Sequence, residues 1–143
     1  MQLETTYWGN FVRAIQPAEG LHELLELTRE HGIPVVVLTD LTTSIQIRKL
    51  HHLQCLEFIT GLVSSEDVGG DKPNPKFITY SQSNLGIGQG HWWIIGDDFS
   101  KDGGLANAIP SSEFVDVSSS KLKRITLRDV SKRVEQLCLT SGN

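Results

Sequence analysis

The apolar positions of this chain fall into two rhythms that alternate along its length. Trp8, Phe11, Val12 and Ile15 recur at three-to-four spacing, which predicts an amphipathic helix over residues 4–15. A second helix is predicted over 17–31, with Leu21, Leu24, Leu25 and Leu27 inward and Gly32 as its C-cap. Residues 33–38 are continuously apolar apart from their proline, the pattern of a strand covered on both faces. A helix over 43–53 follows, capped by Thr42, Thr43 or Ser44, with Ile45, Ile47 and Leu50 inward. A weaker strand is predicted at 61–64. Pro73 and Pro75 then stiffen a turn before a helix over 75–84. The second strong strand is 92–95, followed by a short helix ending at 108, a strand at 114–117 and a closing helix over 127–137.

Helical and strand-like segments in alternation point to parallel βα units and an α/β fold. The 143 residues suit one domain, and no linker or repeat divides them. A hydrophobic share of 38% with 21% charged residues allows a sizeable core and argues against disorder. The net charge of −4 argues against general nucleic-acid binding, which needs a basic face. No apolar stretch is long enough to span a bilayer, and the first residues lack the basic-then-apolar pattern of a secretion signal. Cys55 and Cys138 fit no metal or redox spacing and are expected to be reduced thiols. A soluble, cytoplasmic protein without membrane or nucleic-acid partners is the expectation.

In open α/β sheets ligands bind beyond the carboxyl ends of the strands. The first strong strand delivers Thr39 and Asp40 to that edge. The second delivers Asp97 and Asp98, with Asp102 about one helical turn later, and Lys72 stands on the proline-stiffened turn. Clustered carboxylates suit Mg²⁺, a hard cation with oxygen ligands. A threonine hydroxyl and helix N–H groups suit phosphate oxygens, and a lysine neutralises them. Each group alone has an ordinary explanation, as a solvated turn, a helix cap or an exposed lysine. Their ordered occurrence at strand ends points jointly to phosphoryl chemistry.

Three runs carry a family resemblance. They are Val-Val-Leu-Thr39-Asp40, then Ser65-Glu-Asp-Val-Gly-Gly-Asp-Lys72-Pro-Asn-Pro75, then Ile-Ile-Gly96-Asp97-Asp98-Phe-Ser-Lys-Asp102-Gly-Gly104. In that order they resemble the second, third and fourth motifs of the haloacid dehalogenase superfamily, in its capped phosphatase- and dehalogenase-like branch. The resemblance implies that Thr39 binds the transferring phosphate and that Lys72 steadies phosphate and nucleophile. It implies Asp97 as a Mg²⁺ ligand and Asp102 as a residue that binds a metal water or orients Lys72. Asp98 occupies a variable family position. Asp40 stands where many relatives have asparagine.

The family's first motif is a strand ending in Asp-x-Asp, whose first aspartate attacks and whose second acts as acid/base. No such segment precedes Thr39, and residues 1–16 contain no aspartate. Residues 1–16 instead resemble the helix that returns from the cap, with 17–143 as the core. The resemblance therefore implies a three-layer, Rossmann-like domain with a mostly parallel sheet, missing its first and central strand. The expected activity is Mg²⁺-dependent hydrolysis of a phosphorylated small molecule, provided an aspartate nucleophile comes from elsewhere. The alternative is a non-catalytic module that binds phosphate and Mg²⁺ or self-associates. Three explanations stand: the sequence is a fragment, another chain or second copy supplies the strand, or the flanking strands pair directly in a non-catalytic remnant.

Other signals are set aside. Gly86-Ile-Gly-Gln-Gly90 precedes a strand, whereas a phosphate loop must follow one, so it reads as a turn. The five histidines have no zinc spacing, and neither cysteine has a general base nearby in sequence.

Overall fold

The first described helix, α1 (Leu21–Glu30), buries Leu24 and Leu25 and starts after Gly20, whose φ of 82° takes the left-handed region. At its far end Gly32 turns with a φ of 64°, and the Ile33 N–H closes back on the Thr28 carbonyl at 2.8 Å. That is the glycine C-cap expected from the sequence. The computed structural model describes residues 15–118 and 124–142. The helix predicted over 4–15 lies, but for Ile15, outside the described residues.

Strand β1 (Val36–Thr39) starts later than its apolar run suggests. Pro34 has no N–H for a ladder, and the Val35 N–H goes to the Thr60 hydroxyl instead. Helix α2 (Thr43–His52) follows, then a 3₁₀ turn (Leu56–Phe58), strand β2 (Gly61–Ser64) and the single-turn helix α3 (Ser65–Val68). Helix α4 (Lys76–Asn84), strand β3 (Trp92–Gly96), a π-type turn (Phe99–Gly103) and helix α5 (Gly104–Asn107) come next. Strand β4 (Ser112–Asp116) and helix α6 (Leu127–Thr140) complete the described chain.

Among the described residues all strand pairing is parallel. β1 pairs with β2 in the register Val36 to Gly61 through Thr39 to Ser64. β3 pairs with β4 from Trp92–Ser112 through Gly96–Asp116. Among the described residues these are two separate two-stranded sheets, and β1 does not pair with β3. Direct pairing of the flanking strands, one of the three ways to close the expected gap, is not what the chain adopts.

Alternation along the strands sorts the core into layers. Val36, Leu38, Val63, Trp92, Ile94 and Phe114 face α4 and α5, around the fully buried Phe77 and Leu105. Val35, Val37 and Leu62 face the other way, onto Leu21 and Leu25 of α1, Leu50 of α2 and Leu53 just after it. Trp93 and Val115 share that second side with Leu24, Val130 and Val134 of α1 and α6. Helices thus cover both faces, as a three-layer α/β fold requires. The core under α4 and α5 spans both strand pairs and joins them without backbone hydrogen bonds. Each side chain buried to the depth of Phe77 or Leu105 stabilises this layer by about 1.5–3 kcal/mol.

Between the facing edges of β1 and β3 lies a cavity of about 860 Å³. Val36 and Leu38 line one wall, Trp93 and Ile95 the other, and Leu24 and Val134 contribute from the helices. Cys55 is buried, Cys138 half-buried, and both are free thiols. No described helix is long and apolar enough to cross a membrane.

Candidate functional site

The carboxyl ends of β1, β2 and β3 meet at one edge of the molecule, held there by two ion pairs. Lys72 Nζ lies 2.6 Å from Asp102 Oδ1, with both side chains largely buried. Lys101 Nζ lies 2.7 Å from Asp40 Oδ2. The second pair joins residues just beyond β1 and β3, so both strands point their carboxyl ends at the same place. The Lys72 N–H donates to Asp40 Oδ1 at 2.9 Å, and the Ser65 hydroxyl donates to the Asp40 carbonyl at 3.1 Å. Asp40 therefore ties the end of β1 to the segment after β2 and to the turn after β3.

Burial pushes the Asp40 carboxyl up, but other effects outweigh it. The Lys101 side chain, the Lys72 backbone N–H and the positive charges of both lysines hold it below its ordinary value of 3.8. The hydrogen bond and charge of Asp40 correspondingly raise Lys101 above 10.5. Lys101 belongs to the constellation although its residue type and position gave no reason to single it out. Only the fold brings it across to Asp40, 61 positions away in sequence.

The π-type turn is built for this purpose. Asp98 Oδ1 accepts the Lys101 N–H at 2.9 Å, and the Asp98 carbonyl accepts the Asp102 N–H at 2.8 Å. The turn thereby carries Asp102 back over β3, where its Oδ2 accepts the Asp98 N–H at 3.3 Å. A Cβ on Gly96 would stand 2.1 Å from that same Oδ2, so only glycine fits beneath the carboxylate. Asp98 is thus a capping residue, and Asp97 is exposed at the cavity mouth.

Thr39 is buried, and its hydroxyl accepts the Leu41 N–H at 3.0 Å and donates to Gln46 Oε1 at 3.4 Å. The start of α2 has an unforeseen occupant, since Glu66 Oε2 accepts the Thr43 N–H at 2.9 Å. The Thr42 side chain makes no cap bond. Glu66 is presented by α3, whose capping box pairs the Ser64 N–H and hydroxyl with Asp67 Oδ2 at 2.8 and 3.0 Å. The Ser64-x-x-Asp67 spacing was the available signal for that helix.

As a metal site the described residues are incomplete. No three of their aspartate, glutamate, histidine or cysteine side chains converge to hold an ion. Asp98 caps a turn, and Asp102 is engaged by Lys72. Asp97 makes no hydrogen bond or ion pair with the described residues and is the one carboxylate of the trio left uncommitted.

The comparison with known proteins now bears directly on this geometry. The family model described as haloacid dehalogenase-like hydrolase matches residues 3–110. The chain belongs to the haloacid dehalogenase-like hydrolase family. A curated relative is the ribulose-1,5-bisphosphate 5-phosphatase of Halopiger xanaduensis, 26% identical over 96% of this chain and 60% of that protein. A haloacid dehalogenase-superfamily hydrolase from Ehrlichia chaffeensis shares the fold with a TM-score of 0.72 and 21% identity, over 85% of this chain and 58% of that one. A haloacid dehalogenase-type phosphatase from Thermococcus onnurineus gives a TM-score of 0.69 at 22% identity, over 83% and 58%. The chain therefore spans about 60% of the length of these haloacid dehalogenase-like relatives.

Proposed function

We propose that this chain is the core of a phosphatase-type hydrolase that acts on phosphate esters of small molecules, with its aspartate nucleophile supplied from outside these residues. The observation that carries the reading is the Lys72–Asp102 pair, set at the carboxyl ends of the strands beside the uncommitted Asp97. Such a site has a positioned cation and an available carboxylate, while the first motif that carries the family's nucleophile is not found before Thr39. The phosphatase named among the relatives supports the same class.

Each residue has a chemical part in this reading. An ammonium has three donors, and Asp102 engages one of them on Lys72, which leaves others for a phosphate oxygen. Asp102 is a positioning residue, because it fixes where that charge sits. Thr39 offers its hydroxyl proton, now held by Gln46 in a long bond that a phosphate oxygen can displace. Asp40 acts through the backbone of Lys72 and so sets the turn that presents it. Asp97 would be one ligand of Mg²⁺, and the second carboxylate must come with the nucleophile, since the described residues do not complete the set. A dehalogenase would have no use for Asp97 in that role, which favours phosphoryl transfer.

Binding of inorganic phosphate to the purified chain, followed by ³¹P NMR with and without Mg²⁺, tests the site independently of turnover. Binding should weaken about tenfold in Lys72→Met, and its Mg²⁺ dependence should vanish in Asp97→Asn. The chain alone should hydrolyse an aryl phosphate no faster than Asp97→Asn. Phosphate binding indifferent to Lys72 would sink the reading. So would hydrolysis by the chain alone that needs both Mg²⁺ and Asp97, since a nucleophile would then be present within it.

A further inference from the structure

The Lys101 side chain reaches from the turn after β3 to the residue just beyond β1, where its Nζ stands 2.7 Å from Asp40 Oδ2. The other oxygen of that carboxylate, Oδ1, accepts the Lys72 N–H at 2.9 Å. One carboxylate is therefore shared between Lys101 and the backbone of Lys72. Asp40 follows Thr39 directly, so its charge lies close to the hydroxyl that the phosphate reading uses. An ionised aspartate is a poor neighbour for an anion, because like charges repel. The Asp40 side chain is only 19% exposed, so water and salt screen its charge weakly. Asp71 and Asp98 also act on the Lys101 charge, and Asp102 engages Lys72, so carboxylates outnumber these two lysines. Lys101 is aimed from its own backbone, since its N–H donates to Asp98 Oδ1 at 2.9 Å. Its side chain is 45% exposed, so what the fold has placed is its charge rather than its bulk.

We propose that Lys101 is a positioning residue for anion binding, which neutralises the Asp40 carboxylate and so lets it order the Lys72 backbone beside a bound phosphate. The proposal rests on the phosphate site described under the proposed function. Asp40 has two opposed effects there. Its Oδ1 fixes the turn that presents Lys72, which favours binding, and its charge repels phosphate, which opposes it. Lys101 cancels the second effect and leaves the first. Asparagine at position 40 keeps an oxygen that can accept the Lys72 N–H and drops the charge, so it separates the two effects. A mere strap between β1 and β3 behaves otherwise, because breaking the pair from either side would loosen the same edge.

The experiment is binding of inorganic phosphate to the full chain, followed by ³¹P NMR at one Mg²⁺ concentration, in wild type, Lys101→Met, Asp40→Asn and the double variant. Lys101→Met exposes the Asp40 charge and should weaken binding about tenfold. Asp40→Asn alone should bind phosphate at least as tightly as wild type. The double variant should return to within about threefold of wild type, because the charge that needed cancelling is gone. Raising the salt to about 0.5 M should shrink the deficit of Lys101→Met. Circular dichroism checks the fold of each variant, and Asp40→Asn still decides the sign should Lys101→Met unfold. Weaker binding in Asp40→Asn, matching the loss in Lys101→Met, would overturn the proposal in favour of a strap. A double variant no better than Lys101→Met would overturn it in favour of direct contact between Lys101 and phosphate. Binding that is lost in Lys72→Met and unchanged in Lys101→Met removes the role of Lys101 and keeps the phosphate site. Failure of wild type to bind phosphate at all would overturn both readings together.

Discussion

Gly96 and Asp102 occupy adjoining space so closely that a methyl group on one would overlap the carboxylate of the other. A Cβ at position 96 would lie 2.1 Å from Asp102 Oδ2 and 2.5 Å from Cγ. Gly96→Ala must therefore move Asp102, and with it the partner of Lys72. We expect a loss of about 2–3 kcal/mol in urea denaturation, from overpacking and a disturbed ion pair together. An unchanged midpoint would show that the turn shifts freely.

Lys72 and Asp102 should be energetically coupled. Removing the lysine leaves a nearly buried carboxylate without its cation, at a cost of about 3 kcal/mol. Lys72→Met with Asp102→Asn should cost less than the sum of the single changes, by at least about 1 kcal/mol in a double-mutant cycle. Additive effects would mean that the pair contributes nothing as a pair.

The acid limb of stability should carry the signature of Asp40. Its carboxyl titrates below 3.8 in the folded protein because Lys101 and Lys72 outweigh the effect of burial. The unfolded chain takes up the proton first, so stability falls as pH drops from 3.8 through the lower folded value. Asp40→Asn should make that part of the profile shallower. For Lys101 the sign is opposite: its contribution is complete below 10.5 and is lost as pH rises through its raised value. Chemical denaturation across pH in wild type and variant checks both limbs.

Asp67→Ala removes the reciprocal bonds at the start of α3 and should cost about 1 kcal/mol. The same change should loosen Glu66, which α3 holds against the first turn of α2. Faster amide exchange at Thr43 in the variant would register that second effect, and unchanged exchange would count against it.

Much of this was legible from periodicity and punctuation. The strand at 61–64 and the starts of α2, β3 and α6 fall where the sequence placed them, because apolar runs there end at residues with a plain structural duty. Pro34 displaced the start of β1, since one missing N–H outweighs an apolar neighbour. The motif residues Thr39, Asp40, Lys72, Asp97, Asp98 and Asp102 do reach one edge. What they do there depends on partners distant in sequence. Lys101 on Asp40 and Glu66 on Thr43 are meetings that no local pattern encodes. Nor did the sequence show that the space between β1 and β3 stays open in the described fold.

That open seam has a bearing on how the chain behaves at high concentration. Unpaired strand edges are the usual seeds of edge-to-edge aggregation, and proteins blunt them with charge, proline or distortion. Here the two edges, unpaired among the described residues, carry Val36, Leu38, Trp92 and Ile94 and have no such blunting residue along them. Their protection is one of placement: they face each other across a cavity lined by Leu24 and Val134 from α1 and α6 and by Leu105 from α5. The shielding of both edges thus rests on α1, α5 and α6 staying in place. Conditions that peel those helices away would release two sticky edges at once, well before the strand pairs themselves come apart.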